Sequence, residues 1–249
     1  MKHLEESYDF VVAGGGLAGV CAAVAAARHG QRTCLIHDRP VLGGNASSEV
    51  RVSVHGAACH HFYARETGII GEALTEERAR NHEEVNENGW VNSVLDLVLL
   101  DLVMTTPNLT VHLNTVVEDV VFASGRRGVQ VAPQTGAGYY TREVCAPERR
   151  LAALVAYTPS AETRRTISGR VFADCTGDAL VADLGGCAWR MGTEGVAETG
   201  EAHAPAQAST DTMGNSIHIR ARDIGRPAPF TPPAWAVAHR DGDFFYKST

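Results

Sequence analysis

The 249-residue sequence predicts an α/β fold, with a parallel sheet, helices on one face and a β-meander on the other. Three observations carry that expectation. Residues 8–37 read strand, glycine turn, helix, strand, which is one βαβ unit with parallel pairing and a right-handed crossover. Short apolar runs at 151–157, 164–167 and 169–173, split by polar and turn residues, read as a meander. Residues 171–178 then return to a strand that ends in a polar turn before a helix, as the first strand does.

Taken in order, residues 8–13 (YDFVVA) are apolar, partly β-branched and bounded by glycines, so they read as a buried strand. Residues 17–29 are alanine-rich and helical, with Gly30 as the stop. Residues 33–37 form a second short strand. Residues 39–56 (RPVLGGNASSEVRVSVHG) are turn-rich and read as a functional loop. Residues 69–80 look helical. Residues 90–104 make a stronger helix, with Asn88 and Asn92 both able to cap it and Pro107 beyond its end. Residues 109–113 and 116–122 alternate as strands do, and the meander occupies about 128–171. After Gly192 the texture turns loop-like and then proline-rich.

Composition excludes several classes. The chain is 44% hydrophobic and 20% charged, which speaks against disorder. A net charge of −7 argues against nucleic acid or an anionic membrane surface as partner. The short basic runs at 126–127, 149–150 and 164–165 sit beside turn residues and read as solvated hairpin ends. The six cysteines, at 21, 34, 59, 145, 175 and 187, form no CxxC pair, so no Fe–S or structural zinc framework is read and no metal site is assigned. Cys21 and Cys34 read as core residues, and a reducing, cytoplasmic setting is expected. The sequons at Asn45 and Asn108 carry little weight without a signal peptide.

Residues 10–27 lack any charge, but they are neither a signal nor a membrane span. Their leader, MKHLEESYD, sets one Lys against Glu5, Glu6 and Asp9. Three consecutive glycines would weaken a helix near its middle. The stretch instead fits G-x-G-x-x-G as Gly14, Gly16 and Gly19. Gly14 allows a tight exit from the strand. Gly16 removes a side chain so that a pyrophosphate can approach the backbone. Gly19 lets the helix lie close to the strand. The helix start, through Leu17 and Ala18, offers amides and a positive dipole end to the phosphates. An acid for the adenosine ribose is expected at the end of the second strand, and Asp38, just after His37, fills that place. Arg39 is adjacent, but no arginine cluster replaces the acid, so a 2′-phosphate is not favoured. These residues alone leave NAD and FAD open.

The chain does not continue βαβαβ as a nicotinamide dehydrogenase would. It inserts a glycine-polar loop, a helical section and a meander before the Thr176–Gly177–Asp178 turn. Here the sequence resembles the FAD-dependent oxidoreductases of the two-dinucleotide-binding-domain flavoprotein group, in the family that carries DRPVLGGNASSE at 38–49. The resemblance extends over residues 8–54, RETGIIGE at 65–72, the helix near 90–103, LNTVVEDVV at 113–121 and FADCTGD at 172–178.

The resemblance implies an FAD/NAD(P)-binding, Rossmann-like three-layer domain over residues 1–192, with 193–249 starting a substrate domain that is not complete in the sequence. It implies that Gly14, Gly16 and Gly19 hold the FAD pyrophosphate. Asp38 approaches the adenosine ribose, although in many relatives the acid falls where His37 stands. Gly43, Gly44 and Asn45 pass near the flavin side. Val117 meets the adenine through its backbone, and Asp178, after Thr176 and Gly177, takes a ribitol hydroxyl.

No catalytic residue is assigned. His55, His60 and His61 are candidate proton relays. Cys59 with His60 and His61 resembles a metal set, but adjacent strand residues point to opposite faces. Arg51 and Arg65 suit an anionic substrate or the reduced flavin, with ion pairs to Glu49 and Glu66 as the alternative. Arg220, near His218, suits the same role from the later chain. The expected activity is FAD-mediated hydride and electron transfer from a small organic substrate to an unidentified acceptor. The alternatives are a non-catalytic FAD-binding fragment and an NAD(P)-dependent Rossmann dehydrogenase. A heterodisulfide-reductase-like electron-transfer subunit is opposed by the lack of clustered cysteines.

Overall fold

The computed structural model describes residues 1–54, 66–83, 91–129, 132–136, 138–214, 223–229 and 231–236. Contacts divide the chain into two units, Met1–Asn215 and Ser216–Thr249. The described part of the second unit comprises two short segments, each closed by a local turn: Gly225 N–H donates to Asp223 (2.8 Å) and Ala236 N–H to the Pro233 carbonyl (2.9 Å).

The first unit opens with β1 (Lys2–Ala13), α1 (Leu17–Arg28) and β2 (Thr33–Ile36), followed by α2 (Gly68–Arg80), α3 (Val94–Thr105), β3 (Leu109–His112) and β4 (Val116–Phe122). Next come β5 (Gln134–Gly136), β6 (Tyr139–Arg142), β7 (Leu151–Thr158), β8 (Thr163–Asp174), α4 (Leu180–Leu184), β9 (Trp189–Met191) and α5 (Val196–Thr199). Six strands form one sheet in the order β3-β2-β1-β8-β7-β4. The four from β3 to β8 are parallel, and β7 and β4 continue it antiparallel. The expected α/β class is therefore realised with a mixed sheet.

Side-chain alternation along the strands feeds two cores. Val12 and Leu35 face α1, α2 and α3, and pack with Val20, Val24, Leu95, Leu99 and Val103. Val11, Ala13, Cys34 and Ile36 face the other way and share a cluster with Val117, Val120 and Phe122 of β4, Leu154 of β7 and Val181 of α4. The antiparallel arm thus supplies the layer opposite the helices. Of the rest of the expected meander, β5 and β6 form a small separate sheet with β9, which lies beyond it in the chain.

Three elements depart from the sequence expectation. The meander runs at 164–167 and 169–173 are one twelve-residue strand, β8. Gly169 does not break it. A Cβ there would stand 2.8 Å from Val11 Cγ2 and 3.0 Å from the Phe172 ring, so the glycine makes room rather than a turn. β1 starts at Lys2, because the acidic leader pairs with β8 from Lys2↔Thr163 onward. Leu4, Glu6 and Tyr8 of that leader are half-buried on one side. Helix α3 starts at Val94, whose N–H donates to Asn92 Oδ1 (2.8 Å); Asn88 lies outside the described residues.

The domain boundary expected at 192/193 falls inside the first unit. Residues 193–214 close on themselves through paired backbone bonds between Thr193 and Ser209 (2.9 and 3.0 Å), and the Tyr139 hydroxyl of β6, donating to Glu198, ties them to the rest of the unit.

Candidate functional site

β1 and β8 run side by side to Ala13↔Asp174, so the two strand-to-helix turns leave the sheet together. Cys175 N–H donates to the Ala13 carbonyl (2.7 Å). Gly14 has φ +99°, and a Cβ on it would lie 2.3 Å from the Cys175 carbonyl oxygen. Only glycine meets both demands. A Cβ on Gly19 would stand 1.8 Å from the Gly14 oxygen, so α1 rests on the turn through that missing side chain. Gly16 differs: its Cβ would meet nothing nearer than Gly44 Cα at 4.0 Å. Its bare face is turned away from the core, and Leu17 and Ala18 open α1 with no acid in the first turn.

The second loop docks on the first. Gly43 N–H donates to the Gly15 carbonyl (2.9 Å), and Gly43 and Gly44 take φ of +109° and +58°. The Asn45 carbonyl accepts from Val52 N–H (2.8 Å), leaving its side chain exposed. Beneath the loop, Leu99 of α3 fills the space a Gly43 side chain would need.

His37 points inward, only 6% exposed. Its Nδ1 accepts from Gly15 N–H (3.0 Å), and its Nε2 lies 3.0 Å from the Val41 carbonyl. Burial pushes the imidazole below its ordinary range, against the opposing pull of Asp38. Asp38 is 58% exposed, with Oδ1 at 3.3 Å from His37 Nδ1. Arg39 is drawn aside to Glu49 (2.9 Å).

At the second turn, Asp174 and Thr176 do the capping. Asp174 accepts from Thr176 N–H (3.0 Å) and Oγ1 (2.6 Å) and from Ala182 N–H (2.9 Å), while Thr176 Oγ1 accepts from Leu180 N–H (2.8 Å). Helix α4 has only five residues and starts at Leu180, so Asp178 is not its cap. Among the described residues Asp178 makes no hydrogen bond, and it is exposed. A Cβ on Gly177 would meet nothing within 4 Å.

These pieces line one cleft of about 650 Å³. Gly14, Gly16, Leu17, Ala18, His37, Asp38, Gly43, Gly44, Asn45, Val117, Thr176, Gly177 and Asp178 all lie on it; Gly19 lies behind it as a packing residue. Sequence reasoning missed Gly15, Val52, Ser53, Val54, Thr115 and Cys175, which also line the wall. A Cβ on Gly15 would meet His37 at 2.6 Å and Leu42 at 2.7 Å, contacts that no local motif foretells. Burial, then the Asp174 charge, pushes the Cys175 thiol up, away from thiolate chemistry.

The catalytic candidates divide. His55, Cys59, His60, His61, Arg65, His218 and Arg220 lie outside the described residues. Arg51 does not pair with Glu49. It donates to the Ser48 carbonyl (3.4 Å) and Ser93 Oγ (3.3 Å), because Arg39 already holds Glu49. Among the described residues no group of three or more His, Cys, Asp or Glu could hold a metal ion, and no helix is long and apolar enough to cross a membrane.

An α/β sheet whose parallel strands end in two glycine turns facing one elongated cleft defines a dinucleotide-binding domain. The model of the FAD dependent oxidoreductase family matches residues 9–244, and the chain belongs to that family. Its cofactor is FAD. The bare face of Gly16, the unpartnered Asp178 carboxylate and the joined glycine loops fit such a ligand.

No curated protein matches the sequence. Among solved structures, the chain is similar to the L-proline dehydrogenase from P. horikoshii (16% identity, 71% of this chain and 24% of that chain, TM-score 0.34). It is also similar to THI4 of Thermovibrio ammonificans (18% identity, 72% and 61%, TM-score 0.42). A third is the myxobacterial chondrochloren halogenase CndH (16% identity, 69% and 38%, TM-score 0.42). These likenesses are remote, and the chain spans between 24% and 61% of those proteins' lengths.

Proposed function

We propose that this chain is the cofactor-holding part of an oxidoreductase that takes hydride from a small organic substrate and passes electrons to a separate acceptor. The observation that supports it is the single cleft into which both strand-to-helix turns and the Gly43–Gly44 loop open. When bound, FAD supplies the hydride- and electron-accepting ring.

The chain supplies position. Gly14 and Gly19 let α1 close on the turn, and Gly16 keeps the backbone open to the pyrophosphate. The Leu17 and Ala18 amides, at a helix start without acidic neighbours, face the negative charge. Asp38 would accept from the adenosine ribose, and the Val117 backbone would meet the adenine. Asp178 accepts from a ribitol hydroxyl, a bond strengthened by its charge. Gly43, Gly44 and Asn45 border the flavin end.

The test is the visible spectrum of the purified protein and the identity of its released cofactor. A flavin spectrum and released FAD are expected; a colourless protein carrying a nicotinamide nucleotide would sink the reading. Turnover of an electron-accepting dye with a small organic reductant then separates an enzyme from a fragment that only binds FAD.

A further inference from the structure

The residue between β2 and Asp38 is a histidine, only 6% exposed, whose ring lies in the seam between the two glycine loops. Both ring nitrogens are engaged. Nδ1 accepts from the Gly15 amide at 3.0 Å, so Nδ1 carries no proton. Nε2, 3.0 Å from the Val41 carbonyl, must then be the N–H that donates to it. Gly15 belongs to the first turn, and Val41 leads into the second loop. The same Gly15 accepts through its carbonyl from Gly43 N–H at 2.9 Å. A side chain on Gly15 would strike the His37 ring at 2.6 Å, so ring and turn are packed in direct contact.

We propose that His37, in its neutral form with the proton on Nε2, is a positioning residue that locks the two glycine loops together, and that its protonation loosens the grip on FAD. The inference rests on the reading of the cleft as an FAD site. Protonation at Nδ1 would set two N–H groups, those of Gly15 and the ring, against each other. The Gly15 amide would lose its acceptor. The new N–H would be drawn instead to Asp38 Oδ1, already 3.3 Å away. One proton would therefore disturb the pyrophosphate turn and also engage the carboxylate assigned to the ribose. The charges the ring feels are Asp38 and Arg39 from its own segment and Glu49 from the loop after Gly44; the first turn offers it backbone. Burial, the largest influence, favours the neutral ring near neutral pH.

The experiment is the dissociation constant for FAD, measured by equilibrium dialysis of the full chain from about pH 5 to about pH 8, a range reaching well below the ordinary histidine value of about 6.5 because burial lowers that of His37. For the wild type, affinity is expected to fall severalfold towards the acidic end, the loss growing as pH drops through the lowered His37 value. His37→Asn offers an uncharged acceptor where Nδ1 stands, and its profile is expected to be flat. His37→Phe keeps the packing without either bond; it is expected to bind FAD more weakly throughout, also with a flat profile. A wild-type affinity that does not change with pH overturns the proposal. So does a His37→Asn profile as steep as the wild type's, which would place the titration elsewhere. Failure of the wild type to bind FAD at any pH is a different result, and removes the cofactor reading itself.

Discussion

At Gly16 an added methyl group would meet no protein atom nearer than 4.0 Å, whereas at Gly14 it would strike the Cys175 carbonyl at 2.3 Å. The two glycines of one motif thus answer to different demands, and substitution separates them. Gly16→Ala is expected to leave the melting temperature unchanged and weaken FAD binding by about tenfold or more, as for a disrupted phosphate contact. Gly14→Ala, strained at φ +99° as well as crowded, is expected to lower both. Asp178→Asn tests the other end of the cleft. Because Asp178 caps no helix, thermal stability should hold while FAD affinity drops by about 1.5–3 kcal/mol, the worth of a hydrogen bond to a charged group; titration of FAD into the variant measures it. The tight turn at Gly14 and Gly16 and the place of Asp178 beyond a strand end could be read locally from the sequence. The contact between His37 and Gly15 could not, since each depends on where the other lies in space.

Among the elements, α3 underlies the Gly43 loop through Leu99, which is fully buried. Leu99→Ala should cost about 2–5 kcal/mol in denaturant unfolding, the usual penalty for an emptied core position. The N-terminal half of β1 depends on Glu6. Its carboxylate accepts from Tyr8 (2.8 Å) and pairs with His112 (2.8 Å) and Arg165 (3.1 Å). Burial alone would raise the Glu6 carboxyl, but bonds from His112 and Tyr8 and the charges of His112 and Arg165 bring it below its ordinary 4.5. A carboxyl depressed in the folded state contributes stability above its unfolded value and loses it as pH falls through the folded one. The denaturation midpoint should therefore decline below about pH 4.5, and Glu6→Gln should show a shallower decline. A run reading MKHLEES carries no sign of this, because its partners stand at 112 and 165. The bounds of α1 and α2 were read more closely, since both runs are rich in helix-favouring residues and Gly30, at φ +82°, stands just beyond α1.

For the whole molecule, a ligand that seats both turns at once should stabilise the fold that brings them together. FAD at about one hundred times its dissociation constant should add about 2.7 kcal/mol, read as a rise in melting temperature, with no comparable effect from NAD. The α/β class and the helical layer were visible in the sequence through periodicity. The opposite layer was visible only as short strands; that β7 and β4 extend the main sheet is a matter of pairing, which periodicity does not fix. The pairing of β1 with β8 has a further consequence, in time rather than in space. Ala13 meets Asp174 only after most of the first unit has been made. Such long-range parallel pairing is slow to form, because the intervening chain must first be ordered. During synthesis the glycine turn at 14–19 emerges well before the 174–178 turn that faces it across the cleft. Cofactor capture is thus expected late in the folding of the nascent chain, with β1 and β2 exposed to aggregation until β8 emerges to pair with β1.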